Sequence, residues 1–224
     1  MLGTAVQLAL AAALGMLADE AYYALWAREL AWGYYDQPPA IAALLWATSW
    51  MAPGALGLRL GAIGCGVVAA LAMAWDAKDR LLAVSWTLGV PVLLALTFFG
   101  TSDAPLLGAW ALCLACAARG GRWWLVAGVA GGVAVLGKYT GLAAFPLALL
   151  AAGPATWRTP WPWAGLGLML GVVAPHLMWV LDHEGVSVLF QLREGLGAKE
   201  PPGIWGPLTV VRDQIGAVGP ISLG

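Results

Sequence analysis

The sequence predicts an all-α protein, a polytopic bundle of helices that cross a membrane. Of its 224 residues, 61% are hydrophobic and 10% are charged, and the mean hydropathy is +0.80. These values exceed those of an ordinary soluble domain. Apolar runs long enough to cross a bilayer alternate with charged and turn residues. Because a spanning segment must satisfy its backbone polar groups internally, we expect these runs to be helices.

We predict a single transmembrane domain over residues 1–224. The first apolar run has no basic segment ahead of it and no small-residue cleavage site, so we interpret it as a retained span. Thr48, Ser49 and Trp50 interrupt the run from 39 to 51, which therefore predicts a surface or re-entrant helix. The predicted spans lie near 1–18, 55–75, 81–99, 104–118, 123–137, 140–153, 163–181 and 206–224, with outer-surface helices within 19–54.

The placement of charges orients these spans. With the amino terminus in the cytoplasm, the basic residues of the short inner loops are Lys78, Arg80, Arg119, Arg122 and Arg158. Short basic loops face the cytoplasm in membrane proteins, so this orientation follows the positive-inside rule. Acidic residues then gather in the outer loops. The net charge of −1 argues against nucleic acid as a partner, whereas membrane lipids are expected partners.

The segment from Asp19 to Pro39 is the long polar and aromatic stretch of the chain. Tyr22 and Trp26 recur at helical spacing, and such rings suit a helix that lies on a membrane surface. Asp19 and Glu20 stand where the first apolar run ends. As neighbours they point about 100° apart on a helix and could serve different partners. An acidic first helical turn with no catalytic role explains them equally well.

The apolar segment from residue 123 to 152 contains a lysine at its centre. Its length, about 30 residues or roughly 45 Å of helix, is long for one span and short for two. A lysine at the centre of a bilayer is costly. Lys138, followed by Tyr139, Thr140 and Gly141, therefore predicts two short helices that meet at an outer-side turn.

Four polar clusters fall on the outer side in this topology. Carboxylates beside a lysine suit a reaction on a lipid phosphate, because a carboxylate can take a proton and a cation can stabilise a leaving phosphate. The alternatives are that Lys138 extends its ammonium to the membrane surface and that Asp103 caps a helix beginning at Ala104. The clusters are Asp19-Glu20 with Asp36; Thr101-Ser102-Asp103; Lys138-Tyr139-Thr140; and Asp182-His183-Glu184 with Gln191 and Arg193.

These segments carry a family resemblance. DEAYYALWARELAWGYYDQPP resembles the first outer loop of bacterial GT-C glycosyltransferases of the protein-mannosyltransferase and aminoarabinose-transferase type, that is, glycosyltransferase family 39 and relatives. TSDAPLLGAW, GKYTG and HLMWVLDHEGVSVLFQ follow in the family's order. The sequence departs from the family at Gln37, where many members have His, and at Ser102, where they have Pro.

The resemblance implies a GT-C-like membrane enzyme of the bacterial cytoplasmic membrane with its active face outside. Such an enzyme moves a sugar from a polyprenyl-phosphate donor to a lipid, glycan or protein acceptor. The resemblance assigns the catalytic site to Asp19 and Glu20. Asp19 would be the catalytic carboxylate, and Glu20 beside it would position the acceptor or a divalent metal ion, so the need for a metal cofactor is left open. Asp103 would line the cavity, and Lys138 and Tyr139 would lie near the donor phosphate. Asp36 and His183 complete the candidate substrate-binding residues.

Two further hypotheses belong to other classes. A transporter or flippase of lipid-linked or small substrates would place its polar sites at the bilayer midplane. The relatives are about twice as long, so we also expect this chain to be an amino-terminal half, truncated at its carboxyl end. In that case, it could be an inactive fragment.

Overall fold

We analysed a computed structural model that describes residues 2–196. Regular structure in this part of the chain is helical, so the predicted all-α membrane bundle is confirmed. The predicted span near 206–224 and the expected truncation concern residues outside the described range. The helices are α1 Leu2–Ala13, α2 Ala18–Trp26, α3 Ala40–Ser49, α4 Gly54–Ala74, α5 Arg80–Gly89, α6 Pro91–Leu96, α7 Asp103–Arg119, α8 Trp123–Gly137, a 3₁₀ helix Tyr139–Ala143, α9 Ala144–Trp157, α10 Pro160–Asp182 and α11 Val186–Leu196.

Three helical segments between residues 2 and 196 are long and apolar enough to cross a membrane. They are Gly54–Ala74, Tyr139–Trp157 and Pro160–Asp182. A fourth crossing is available if α1 and α2 count as one broken span, because they bend by 88° between Ala13 and Ala18. Large apolar side chains, such as Leu71 and Leu150, remain exposed on the outside of the bundle, as expected for contact with lipid.

Small residues let the central helices pack closely. A Cβ atom on Gly128 of α8 would collide with the backbone of Gly165 in α10, and one on Gly165 would collide with Trp124. Close approach through glycine is a common way for membrane helices to associate. Helices α7, α8 and α10 therefore form a tight centre, where Trp124 and Phe145 are buried.

The helices break where the sequence removes a hydrogen bond or allows an unusual backbone. Lys138 is extended (φ −160°, ψ 146°), so α8 ends there and the 3₁₀ helix begins, giving the turn expected from the lysine. The segment predicted as one span near 81–99 divides at Pro91, whose missing N–H suits the start of a helix. Gly153 (φ 76°) kinks α9 ahead of Pro154.

The two ends of the bundle carry different charges. At one end, which we call the site end, α7 begins at Asp103, and Lys138 forms an ion pair with Asp103 at 2.9 Å. At the opposite end, α7 terminates at Arg119, which pairs with Asp76 at 3.3 Å and lies over the Trp75 ring at 4.3 Å. The candidate site and the basic loops therefore occupy opposite ends.

The predicted topology places the site end outside the cell and the basic loops in the cytoplasm. In a background lacking the native cysteines, Tyr35→Cys in intact cells should react with a membrane-impermeant thiol reagent, because Tyr35 is 59% exposed at the site end. Arg122→Cys and Arg80→Cys should react only after the membrane is permeabilised. Labelling of position 122 in intact cells, with position 35 protected, would invert the orientation.

Candidate functional site

Two of the predicted polar clusters meet near Tyr23 at the site end. Asp19 begins the first turn of α2, Asp103 begins α7, and Asp36 lies in the loop of residues 31–39. Their carboxylates surround Tyr23 closely enough to act on its hydroxyl electrostatically, with Ser102 beside it. Residues from distant parts of the sequence therefore form one acidic group around a buried tyrosine.

Glu20 forms a buried ion pair with Arg59 of α4. Arg59 donates from Nε to Glu20 Oε1 at 2.8 Å and from Nη2 to Oε2 at 2.6 Å, and neither residue is exposed. The remaining guanidinium donors reach the carbonyls of Ala11, Leu14 and Gly15 at the end of α1. This two-point contact between planar groups is a strong form of ion pair.

Glu20 has a structural task in this arrangement. Besides Arg59, its carboxylate accepts the backbone N–H of Leu17 at 2.9 Å and that of Gly100 at 3.0 Å. The first bond completes the start of α2, as the acidic-turn alternative expects, and the second anchors the segment that leads to Asp103. Both oxygens are occupied and shielded from substrate. The geometry therefore does not support the predicted catalytic role of Glu20.

Asp19 is arranged differently from its neighbour. Its side chain is exposed, and among residues 2–196 no group donates a hydrogen bond to it or pairs with its charge. Burial raises the pKa of the nearby Asp36. The negative charge of Asp19 raises this pKa further, whereas the hydrogen bond with the Tyr22 hydroxyl lowers it. Asp19 and Asp36 are thus close enough to interact, and Asp19 remains available to a substrate.

Lys138 pairs with Asp103. This contact was not among the alternatives from the sequence, in which Lys138 reaches the membrane surface and Asp103 caps its own helix. The ammonium and the carboxylate are 2.9 Å apart and are 32% and 26% exposed. Ser102 stands at the cap position of α7 without a capping side-chain bond, and Asp103 reaches across to Lys138 instead of capping. The pair gives a lysine at the end of an apolar bundle a partner of opposite charge.

Tyr139 and His183 lie away from the acidic group. The Tyr139 hydroxyl is bonded to His176 Nε2 at 3.0 Å and to the Ser187 hydroxyl at 2.8 Å. His183 is exposed, and its Nδ1 contacts the carbonyl of Trp179 on its own helix at 2.8 Å. The buried histidine of this region is His176, which we did not predict. A histidine inside an apolar helix was the signal that could have identified it.

An apolar groove of about 740 Å³ runs between α3, α4, α7 and α8. Its wall includes Trp32 and Pro39 from the 31–39 region. Pro105 and Leu136, each two residues from a member of the ion pair, also line it. The groove continues along α7 and α8 to Leu112 and Val126. From Val126 to Leu136 it follows α8 for about 15 Å.

A second, smaller cavity lies on the other side of the 31–39 loop. This mixed cleft, of about 280 Å³, is lined by Tyr35 and Phe190, whose ring centroids are 5.1 Å apart, and by the polar side chains of His183, Glu184 and Arg193. Its wall combines aromatic and charged groups, in contrast to the groove. In sequence, Asp36 lies between Tyr35, which lines the cleft, and Pro39, which lines the groove.

A divalent metal has no obvious ligand set here. Within the described range, no three side chains of His, Cys, Asp or Glu gather at metal-binding distances. Glu20, the residue expected to position a metal, is occupied by Arg59.

The membrane helix bundle and a family match together indicate a membrane glycosyltransferase. Residues 36–179 match the profile of the dolichyl-phosphate-mannose-protein mannosyltransferase family. The chain belongs to this family, and the resemblance seen in its motifs is confirmed. The match includes Asp36, Asp103 and Lys138, whereas Asp19 and Glu20 precede it. No curated protein and no solved structure gives a significant match.

The structural task of Glu20 predicts a loss of stability when its pairing is broken. Removal of one partner leaves an uncompensated buried charge, which typically costs about 3–5 kcal/mol. Arg59→Met should therefore lower the thermal midpoint of the protein in detergent strongly, and Glu20→Gln should lower it as well.

Asp19→Asn is the matched control, since it removes the adjacent but exposed carboxylate and should leave the midpoint unchanged. The double variant Glu20→Gln with Arg59→Met should recover part of the loss seen in Arg59→Met. If Glu20→Gln kept the wild-type midpoint and abolished sugar transfer, Glu20 would be a catalytic residue after all.

Proposed function

We propose that this protein transfers a sugar from a polyprenyl-phosphate donor to an acceptor hydroxyl at the outer face of a bacterial cytoplasmic membrane. The observation that carries this proposal is the apolar groove whose wall includes Pro105 and Leu136, each two residues from a member of the Lys138–Asp103 pair. An isoprenoid tail needs an apolar channel at bilayer depth, and its phosphate needs a cation at the membrane surface. The groove and the lysine supply both in one place, and family membership supports glycosyl transfer.

Lys138 is the group that would bind the donor phosphate. An ammonium has three N–H donors, so its bond to Asp103 leaves others for phosphate oxygens. Asp103 holds the ammonium in place by the ion pair at 2.9 Å. When the glycosidic bond breaks, the leaving phosphate gains negative charge, and a cation already in position stabilises that charge in the transition state.

Asp19 is the group that would act as the base. The acceptor oxygen forms a bond to the anomeric carbon as the bond from that carbon to the donor phosphate oxygen breaks. The bonding electrons leave with the polyprenyl phosphate, and the acceptor's proton passes to the Asp19 carboxylate. Its exposure and its lack of a partner among the described residues suit this task, whereas Glu20 is committed to Arg59.

The acceptor would approach from the side of the mixed cleft. Aromatic faces beside charged groups suit a polar, hydroxyl-bearing molecule better than a lipid tail. The cleft is separated from the groove by the 31–39 loop, so the two substrates can reach the acidic group from opposite sides. Tyr35 and Arg193 are the residues that would contact the acceptor.

Kinetics of single variants test this assignment. Asp19→Asn keeps the shape of the side chain and removes the base, so turnover should fall by about 10²–10⁴-fold with little change in donor KM. Lys138→Met should raise the donor KM, because it removes the phosphate ligand. The assay is transfer from a polyprenyl-phosphate sugar in nanodiscs at matched protein levels.

Asp79→Asn, at the opposite end of the bundle, is the matched control and should retain full turnover. Near-wild-type turnover in Asp19→Asn, with loss in Asp103→Asn, would move the base to Asp103. Movement of the donor across the membrane without any transfer would favour a flippase instead.

A further inference from the structure

A buried chain of hydrogen bonds joins four separate elements at the site end. His176 of α10 is fully buried, and its Nδ1 lies 2.7 Å from the backbone carbonyl of Trp32. Its Nε2 lies 3.0 Å from the Tyr139 hydroxyl, which is bonded to the buried Ser187 of α11. The chain thus runs from the 31–39 loop, through α10 and the 3₁₀ helix, to α11.

When the His176 imidazole is neutral, one arrangement of protons gives every member of this chain a hydrogen-bond partner. His176 Nδ1–H donates to the Trp32 carbonyl, which leaves Nε2 as an acceptor for the Tyr139 hydroxyl. The Ser187 hydroxyl can then donate to the Tyr139 oxygen. A buried network in which each group has its partner holds its elements in one arrangement, because the loss of any bond leaves a buried polar atom unsatisfied.

The same helices hold the 31–39 loop at further points. The Trp179 ring, one helical turn after His176, packs so closely on Gly33 that a Cβ there would collide with it. Gln191, one turn after Ser187, donates its side-chain amide to the backbone carbonyl of Asp36. The loop that carries Asp36 is therefore clamped by α10 at Trp32 and Gly33 and by α11 at Asp36.

We propose that His176 is a positioning residue that docks the Asp36 loop and couples it, through Tyr139, to the adjacent Lys138. The loop that carries Asp36 contributes to the walls of both cavities, and Lys138 pairs with Asp103, so docking of the loop sets the distance between two parts of the site. Tyr139, expected near the donor phosphate, belongs to this network. The consequence for catalysis rests on the proposed function, but the docking itself does not.

Hydrogen exchange tests the docking without any substrate. The amide of Ala31 donates to the Tyr34 hydroxyl and that of Tyr34 donates to the Gln37 carbonyl, both at 3.1 Å, so both should be protected while the loop is docked. His176→Leu removes both ring contacts, and exchange across residues 31–37 should accelerate by about tenfold or more. His176→Asn keeps an amide donor near the Nδ1 position and should restore much of the protection.

Leu177→Ala is the matched control, because it alters a lipid-facing neighbour on α10 and should leave exchange and transfer unchanged. If His176→Leu does not fold, Tyr139→Phe removes one hydroxyl and should give a smaller acceleration in the same segment. Wild-type exchange in whichever of these variants folds would overturn the proposal.

Sugar transfer gives the second readout. His176→Leu should lower kcat more than it raises donor KM, and His176→Asn should rescue kcat in parallel with protection. Loss of kcat with normal exchange would show that His176 acts directly on the reaction and not through the loop. Faster exchange with normal transfer would show that docking is real but does not serve the proposed chemistry.

Discussion

The buried pair of Glu20 and Arg59 is the interaction on which the site end depends. A charge removed from water in an apolar bundle is tolerated when its partner and its remaining hydrogen bonds are in place. Here the pair joins the end of α1, the start of α2, the second turn of α4 and the segment before α7. Asp19 directly precedes Glu20 in the sequence, and Asp103 lies shortly after Gly100, which donates to Glu20. Their relative positions therefore follow from a contact in which neither takes part.

The sequence predicted the features that depend on the free-energy cost of a residue in its own segment. The helix break at Lys138 follows from the expense of a central lysine, and the structure has that break. The difference between Asp19 and Glu20 was not predictable, because it depends on Arg59, 39 residues farther along the chain than Glu20. His176 was missed in favour of His183 for a similar reason. Its importance comes from Trp32, Tyr139 and Ser187, which helix packing brings together.

The two cavities give the 31–39 loop its significance. The groove on one side has an apolar wall formed by α3, α4, α7 and α8, whereas the cleft on the other side combines aromatic and charged groups. The lipid tail of the proposed donor is apolar and the proposed acceptor is polar, so the two substrates differ in polarity as the two cavities do. The loop between them carries Asp36 and is held by α10 and α11. Under the proposed function, the two cavities would hold two substrates of unlike polarity.

The occupant of the groove is the most direct test of this account. Ala43 of α3 lines the groove, whereas Ala47, one turn farther, is exposed and does not line it. Ala43→Trp should fill the channel and displace part of an isoprenoid tail. At about 0.8 kcal/mol per buried CH₂, this should raise the KM of a long-chain donor by tenfold or more. A donor with a single isoprenoid unit, and Ala47→Trp with either donor, should be unaffected. Equal KM values for the long-chain donor in Ala43→Trp and Ala47→Trp would contradict the assignment of the groove to the donor's tail.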